Sequence, residues 1–162
     1  MTKEAYHIRR ADREIKDEKI VEEILGAVKY LTISLCEGDI PYIVALSCGY
    51  DGDTRSFYFH CAKKGHKLDI LKKNPSVCAL AVDDRGYEKG ECSHKYRSLV
   101  IRGRMSLAAD KREMSHGVKV LLRQLESGGG GTYEKFIKSE ADFKNVAILR
   151  LEIESITAKG NV

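Results

Sequence analysis

The chain has 162 residues, of which 43% are hydrophobic, so it is long enough for one domain with a buried core. Its start is highly charged and no apolar run approaches the roughly 18 residues of a membrane span, so we expect no signal peptide, no membrane contact and a cytoplasmic protein. The net charge is +4, but acidic residues are interleaved with the basic ones, and no basic face carries aromatic side chains for base stacking. This argues against nucleic acid as a ligand and favours a small anion.

Residues 1–16 show no sustained apolar period and are predicted to form an N-terminal arm. Asp17 is a suitable N-cap for the helix that follows, in which apolar residues between Ile20 and Val28 recur on one face. We therefore expect this helix to pack against the rest of the fold.

A hairpin is predicted next, because strand-like runs at 30–36 and 40–50 are separated by Glu37-Gly38-Asp39. One face of the second run is mostly small: Ile43, Ala45, Ser47 and Gly49. Such a face leaves room for a flat molecule against the backbone. A strand that bulges at Ser47 and Gly49 explains the same residues, and both alternatives stay open.

The stretch FYFHCAKKGHKLDIL, at 57–71, leads from an aromatic strand through a turn into an amphipathic helix. We predict this helix at 65–73, because the residue before Pro75 avoids helical geometry. The basic turn, residues 63–67, surrounds Gly65 with four basic side chains: Lys63, Lys64, His66 and Lys67. Free N–H groups and the positive end of the helix dipole meet there, which predicts a phosphate site, although a solvated basic surface has the same composition.

A nearly all-apolar strand is predicted at 76–82, a polar loop at 83–95 and a second long strand at 97–107. Gly103 interrupts the second strand, as a bulge or a barrel corner requires. A helix capped by Asp110 then continues to about residue 126.

Short helical or turn segments are predicted at 133–138 and near Asp142, and a last strand at 146–158. Hairpins dominate, and the helices do not alternate regularly with the strands. The order therefore favours a mainly β, α+β fold, a small antiparallel barrel of about six strands with appended helices, over a doubly wound sheet.

Cysteine usage gives no evidence of a disulfide framework or a metal site. The five cysteines are scattered, odd in number and without a CxxC pair, so we predict free buried thiols. Cys92 and His94 offer two ligands without a second pair nearby, and no metal is expected.

Four stretches in the same order resemble the pyridoxamine 5′-phosphate oxidase-like, FMN-binding split-barrel superfamily, and within it the nitroimidazole-resistance branch. They are RRADREI, PYIVALSCGYDGD, FHCAKKGHKLDILKKNP and CSHKYRSLVIRGR. The resemblance covers nearly the whole chain. It implies one domain over residues 1–162, a six-stranded antiparallel split β-barrel, and FMN as the cofactor.

The resemblance also implies a binding site. It places the FMN phosphate at four residues of the basic turn: Lys63, Gly65, His66 and Lys67. It lays the isoalloxazine along the backbone of one strand and beside the next: Ala45, Leu46, Ser47 and Cys48, then Phe59, His60 and Cys61. Related barrels are homodimers, which implies that three further residues reach the flavin bound mainly by the partner chain: Tyr96, Arg97 and Ser98.

Two departures bear on the reaction. His66 stands where the oxidase proper has arginine, and the chain has no tryptophan and ends in TAKGNV, without the C-terminal tryptophan and arginine of the oxidase. Pyridoxamine phosphate is therefore not the expected substrate.

The activity that the resemblance implies is an FMN-dependent oxidoreductase. It would take electrons from NAD(P)H or another donor and reduce a small flat acceptor such as a 5-nitroimidazole, with His66 as the candidate catalytic residue. Two alternatives stay open: a flavin- or haem-binding protein without turnover, and His66 as an ordinary exposed turn histidine.

Overall fold

Six antiparallel strands close into a barrel in this computed structural model, which describes residues 8–126 and 144–161. The strands are β1 (Tyr30–Glu37), β2 (Ile40–Asp51), β3 (Ser56–Ala62), β4 (Ser76–Glu88), β5 (Ser93–Leu107) and β6 (Val146–Asn161). The helices are α1 (Glu18–Ala27), α2 (His66–Lys73) and α3 (Lys111–Leu125). Their order confirms the predicted six-stranded split barrel with appended helices. The segments predicted at 133–138 and near Asp142 lie outside the described residues.

The order around the barrel is β1-β2-β3-β6-β5-β4, and β1 also pairs with β4. Alternate residues of each strand fill the interior, as a period of two requires. Phe57 and Phe59 on β3 are fully buried there. Ile24 and Leu25 of α1 join the same core, and so does Ile70 of α2. The two helices are therefore held by apolar burial, which contributes about 1.5–3 kcal/mol for each large side chain.

Helix caps explain where two of the helices begin. The Asp17 side chain accepts a hydrogen bond from the backbone N–H of Lys19 at 2.9 Å, and Asp110 accepts one from that of Glu113 at 2.8 Å. Both predicted caps are confirmed. In the second, a Glu113 carboxylate oxygen also accepts from the Ala109 N–H at 2.6 Å, which ties the chain before the helix to its first turn.

Helix α3 packs outside the barrel over Gly49. A Cβ added to Gly49 would lie 2.5 Å from the Leu121 Cα, and one added to Gly117 would lie 2.6 Å from the Tyr58 ring. The two glycines thus permit close helix–sheet packing. The prediction that this face of β2 is open is therefore wrong at Gly49, because α3 occupies the space there. The alternative bulge is wrong as well, because the pairing of β2 with β3 is regular through Gly49.

One glutamine joins three elements at the end of α3. The Gln124 Oε1 atom accepts from the Tyr50 N–H at 2.6 Å, and its Nε2 atom donates to the carbonyls of Leu25 at 3.0 Å and Val28 at 2.5 Å. The last carbonyls of a helix have no partner within the helix, so this side chain satisfies groups that α1 leaves unpaired. Lys29 also donates through Nζ to the Gln124 carbonyl oxygen.

The loop predicted at 83–95 is wrong. Strands β4 and β5 continue past the barrel as a two-stranded ribbon, in which Tyr87 pairs with His94 and Glu88 with Ser93. The ribbon is exposed on both faces, so its sequence shows no alternation of apolar and polar residues. Backbone hydrogen bonds hold it together, assisted by ion pairs such as Lys95 with Glu88 at 3.1 Å.

The irregularity predicted at Gly103 is confirmed. The pairing of β5 with β6 shifts between Arg102, opposite Ser155, and Gly103, opposite Ile153. A Cβ on Gly103 would collide with the Glu152 carbonyl oxygen, so only glycine fits there.

The five cysteines are free, but they are not uniformly buried. Cys48 and Cys61 are buried, Cys36 and Cys78 are half-buried, and Cys92 is exposed in a turn with a φ of 48°. The prediction of buried thiols is therefore wrong for Cys92, because the ribbon carries it away from the core. Burial raises the pKa of the Cys48 thiol to about 12.

Neither a membrane span nor a metal cluster is found in residues 8–126 and 144–161. None of the helices there is both long and apolar enough to cross a membrane. In the same ranges, three or more His, Cys, Asp or Glu side chains nowhere come together in a way that could hold a metal ion.

Candidate functional site

The basic turn joins β3 to α2 and leaves the helix start open. Gly65 is the N-cap residue, with a φ of 141° that favours glycine, and no described side chain caps this end. The N–H of Leu68 bonds to the Gly65 carbonyl at 2.9 Å, but His66 and Lys67 come too early in the helix for such a bond. Their N–H groups are available to an anion, and the dipole favours negative charge at the same point.

Positive charge is neutralised at one end of α2 and not at the other. At the C-terminal end, Lys72 contacts Asp69 at 3.3 Å and Lys73 contacts Glu37 at 2.7 Å. The three lysines of the basic turn form no ion pair with a described residue: Lys63, Lys64 and Lys67. Lys67 is half-buried, and its charge opposes the rise that burial causes in the pKa of the Cys61 thiol. The structure therefore brings together an uncapped helix start and unpaired cations.

His66 lies at the edge of this group, beside the β1–β2 hairpin. Its Nε2 atom is 3.9 Å from a Glu37 oxygen, and its ring meets the Tyr42 ring edge-on at 5.0 Å. Its side chain is 55% exposed. Lys73 binds the same glutamate and, as the largest cause, holds the pKa of Glu37 below its usual range, with His66 contributing less. His66 is thus an exposed side chain between an acid and the proposed anion site.

The residues predicted to lie along an isoalloxazine fall on two faces of the sheet. The side chains of Ala45, Ser47 and His60 are exposed on the outside of the barrel. The other four point into the barrel core: Leu46, Cys48, Phe59 and Cys61. A ligand outside the barrel could touch these four residues only through their backbone.

The outer face beside Ala45 is continuous across five strands. Strand register places five outward residues in one row: Ala45, Thr32, Leu80, Val100 and Thr157. Several large apolar side chains on this side are exposed: Tyr30 by 61%, Ile43 by 65%, Leu80 by 41% and Val82 by 55%. Grouped exposed apolar side chains commonly mark a contact surface.

Tyr96, Arg97 and Ser98 lie on β5, which is three strands from β2 in either direction around the barrel. One chain therefore does not bring them together with Ala45 and Ser47. Ser98 is buried, and its hydroxyl donates to the Lys159 carbonyl at 3.5 Å.

Arg97 is buried and fully engaged within its own chain. Its Nε atom donates to Asp83 at 2.7 Å, and its two terminal nitrogens donate to Glu23 of α1 at 3.1 and 2.9 Å. The bond to Glu23 is the largest cause of the raised Arg97 pKa and lowers the pKa of that glutamate. Burial acts to raise the pKa of Asp83, but hydrogen bonds from Arg97 and Arg85 leave that pKa below its usual range. Arg97 thus fastens α1 to the start of the ribbon.

A histidine–aspartate pair outside the predicted site was missed. His116 of α3 contacts buried Asp51 at 2.8 Å, and its ring meets the Tyr58 ring edge-on. Burial acts to raise the pKa of Asp51, but hydrogen bonds from His116 and Thr54 leave it below its usual range. The two residues are 65 positions apart, and no sequence period joins them. The pair holds α3 against the β2–β3 turn.

Solved structures that share this fold include three relatives. A proposed 5-nitroimidazole antibiotic resistance protein from Bacteroides thetaiotaomicron aligns with a TM-score of 0.75 at 22% identity, over 91% of this chain and 86% of that one. The flavocytochrome Anf3 from Azotobacter vinelandii gives 0.77 at 17% identity, over 96% and 73%. An FAD and haem binding protein from Mycobacterium smegmatis gives 0.76 at 17% identity, over 92% and 73%.

Sequence comparison defines the family. No curated protein matches the chain. Residues 17–160, however, match the family model for pyridoxamine 5′-phosphate oxidase. That match takes in the three helices and the six strands described above, except for the last residue of β6, and the chain therefore belongs to the pyridoxamine 5′-phosphate oxidase family.

Proposed function

We propose that the protein is an FMN-dependent oxidoreductase that reduces a small flat acceptor, with a nitroaromatic such as a 5-nitroimidazole as the candidate class. The observation that carries the flavin assignment is the basic turn, with its uncapped helix start and three lysines that form no ion pair with a described residue. A phosphate dianion needs charge-assisted donors, and this turn offers backbone N–H groups and ammonium groups together.

The residues fit FMN in distinct roles. Lys63, Lys67 and the α2 N–H groups would hold the phosphate, and the exposed backbone at Ala45 and Ser47 would support a flat ring system. When bound, the cofactor would supply hydride transfer from NAD(P)H and delivery of the electrons to the acceptor. The chain contributes position and charge.

A homodimer is part of the proposal. Tyr96 and Ser98 lie across the barrel from Ala45, so they can join a flavin at β2 only if they come from a second chain. The exposed apolar side chains on the same face support this arrangement, because pairing would remove them from water. If flavin binds only the dimer, it stabilises the dimer by mass action.

Titration and assembly measurements test the proposal together. Apoprotein should quench FMN fluorescence saturably with one flavin per chain. In sedimentation, diluted apoprotein should dissociate more readily than flavin-loaded protein. NAD(P)H oxidation that depends on added FMN and a nitroimidazole would establish turnover. A monomer with full FMN occupancy would defeat the shared site, and no flavin binding would defeat the whole proposal.

The second candidate is a haem-binding protein without turnover, and two fold relatives support it by their names, a flavocytochrome and an FAD and haem binding protein. Absorption spectra separate the candidates. Protein titrated with FMN should show a perturbed flavin spectrum, whereas protein titrated with haemin should develop a sharp Soret band only if this second candidate is right.

A further inference from the structure

Glu37, at the end of β1, contacts two basic side chains of α2. One carboxylate oxygen, Oε1, accepts a hydrogen bond from the Lys73 Nζ atom at 2.7 Å, and the other, Oε2, lies 3.9 Å from the His66 Nε2 atom. Among the carboxylates of residues 8–126 and 144–161, Glu37 is the one within ion-pair distance of His66. The sequence predicted a turn after Glu37, but no contact of Glu37 with α2.

Tyr42 of β2 holds the His66 ring from a second direction. The two rings meet edge-on with their centroids 5.0 Å apart, and Tyr42 itself packs against the barrel core. The Asn74 Nδ2 atom donates to the Cys36 carbonyl at 3.3 Å, which ties the end of α2 to the strand that carries Glu37. Both contacts of His66 therefore come from a hairpin that is fastened to α2.

Glu37 supplies negative charge where the other neighbours of His66 are positive. The helix dipole and three ammonium groups lie on the opposite side of the imidazole: Lys63, Lys64 and Lys67. Like charges disfavour a protonated ring there. The contact with Glu37 is longer than a hydrogen bond, so it acts through charge and attracts the ring only when the ring is protonated.

Glu37 also has an effect of opposite sign, because a carboxylate near an anion site repels the anion. Lys73 reduces that repulsion, since its ammonium group pairs closely with Glu37 and cancels most of the carboxylate charge at a distance. His66 faces the second oxygen directly and still experiences its attraction. The attraction of His66 should therefore outweigh the repulsion of the phosphate.

We propose that Glu37 is a positioning residue for the flavin phosphate. Together with Tyr42 it holds a protonated His66 imidazole at the basic turn, where the ring adds a further cation to the three lysines. The inference rests on the proposed FMN site and deepens it. Glu37 acts through His66 and is not itself assigned a contact with the cofactor.

Two variants that each remove one acidic charge give results of opposite sign. Asp69 lies in the first turn of α2 but pairs with Lys72 and not with His66. Asp69→Asn should leave FMN affinity unchanged or raise it, because less negative charge remains near the phosphate. Glu37→Gln should instead weaken FMN about two- to fivefold at low ionic strength, the range of an exposed ion pair. Unchanged or tighter FMN binding by Glu37→Gln would overturn the proposal.

A double-mutant cycle shows whether Glu37 acts through His66. In a His66→Gln background, Glu37→Gln should no longer weaken FMN, because no imidazole remains to be positioned. In the parent background the loss should be largest at the acid end of the pH profile, where a histidine is protonated. The same loss in both backgrounds, or at every pH, would refute action through His66.

Two further ligands distinguish positioning from structural damage and from failure of the flavin function. Riboflavin lacks the phosphate, so its affinity should be the same in the parent and in Glu37→Gln; an equal loss for both flavins would mean a structural role and overturn the proposal. Inorganic pyrophosphate, titrated by calorimetry, reports on the basic turn alone. If the parent binds pyrophosphate but not FMN, the flavin function fails and Glu37→Gln still decides the role of Glu37; if the parent binds neither, both fail.

Discussion

Replacing Lys67 by alanine tests the phosphate assignment most directly. Lys67 is half-buried in the first turn of α2 and has no ion-pair partner among the described residues. A charge-assisted hydrogen bond contributes about 1.5–3 kcal/mol, and every 1.4 kcal/mol is tenfold in affinity. Because water reaches part of the side chain, we expect Lys67→Ala to weaken FMN roughly ten- to a hundredfold.

The same change should leave the fold intact. No carboxylate of residues 8–126 and 144–161 loses a partner, so the free energy of unfolding should move by less than about 0.5 kcal/mol. FMN fluorescence quenching measures the affinity, and urea denaturation of the apoprotein measures the stability. Lys72→Ala is the matched control, since Lys72 is on the same helix but pairs with Asp69 at the C-terminal end. Unchanged flavin affinity in Lys67→Ala, or an equal loss in Lys72→Ala, would refute the reasoning.

Three further changes have defined outcomes. His66→Gln keeps a hydrogen-bond donor but cannot carry a positive charge, so it should flatten the pH dependence of FMN affinity if the imidazole charge attracts the phosphate; superimposable profiles would remove His66 from that role. Gln124→Leu should lower the free energy of unfolding by about 2–4 kcal/mol in urea melts, because three backbone groups lose a partner. Arg97 lowers the pKa of Glu23 and Asp83, so these two carboxylates stabilise the fold fully above about pH 5 and progressively less as the pH falls. Arg97→Met should therefore lower the free energy of unfolding at pH 7 and make that free energy less dependent on pH below about 5. An unchanged pH dependence in acid would contradict the pairing.

Local patterns were sufficient for most of the fold. The turn at Glu37-Gly38-Asp39, the caps at Asp17 and Asp110, and the irregularity at Gly103 each depend on a few neighbouring residues, and all were predicted correctly. The ribbon at 83–95 was not, because it lacks a buried face and so carries no apolar period. Its strand geometry comes from the partner strand, which the local sequence does not display.

The candidate site also has one part that neighbouring residues predict, while another contact outside it depends on tertiary structure. The basic turn is local in sequence, and glycine, lysines and a helix start recur together there, so a possible anion site could be identified before the fold was known. The contact of His116 with Asp51 could not, because the two residues are 65 positions apart and only the packing of α3 on the barrel brings them together.

Sequence by itself determined the strand and helix periods, the caps and the charge of the basic turn, because each depends on residues within a turn or two of one another. Tertiary structure alone decided that α3 fills the space over Gly49 and that the Arg97 guanidinium is hydrogen-bonded to Glu23 and Asp83. It also decided that β5 stands across the barrel from β2. These facts follow from barrel closure, which sets residues far apart in sequence at fixed distances, and no local period encodes such distances.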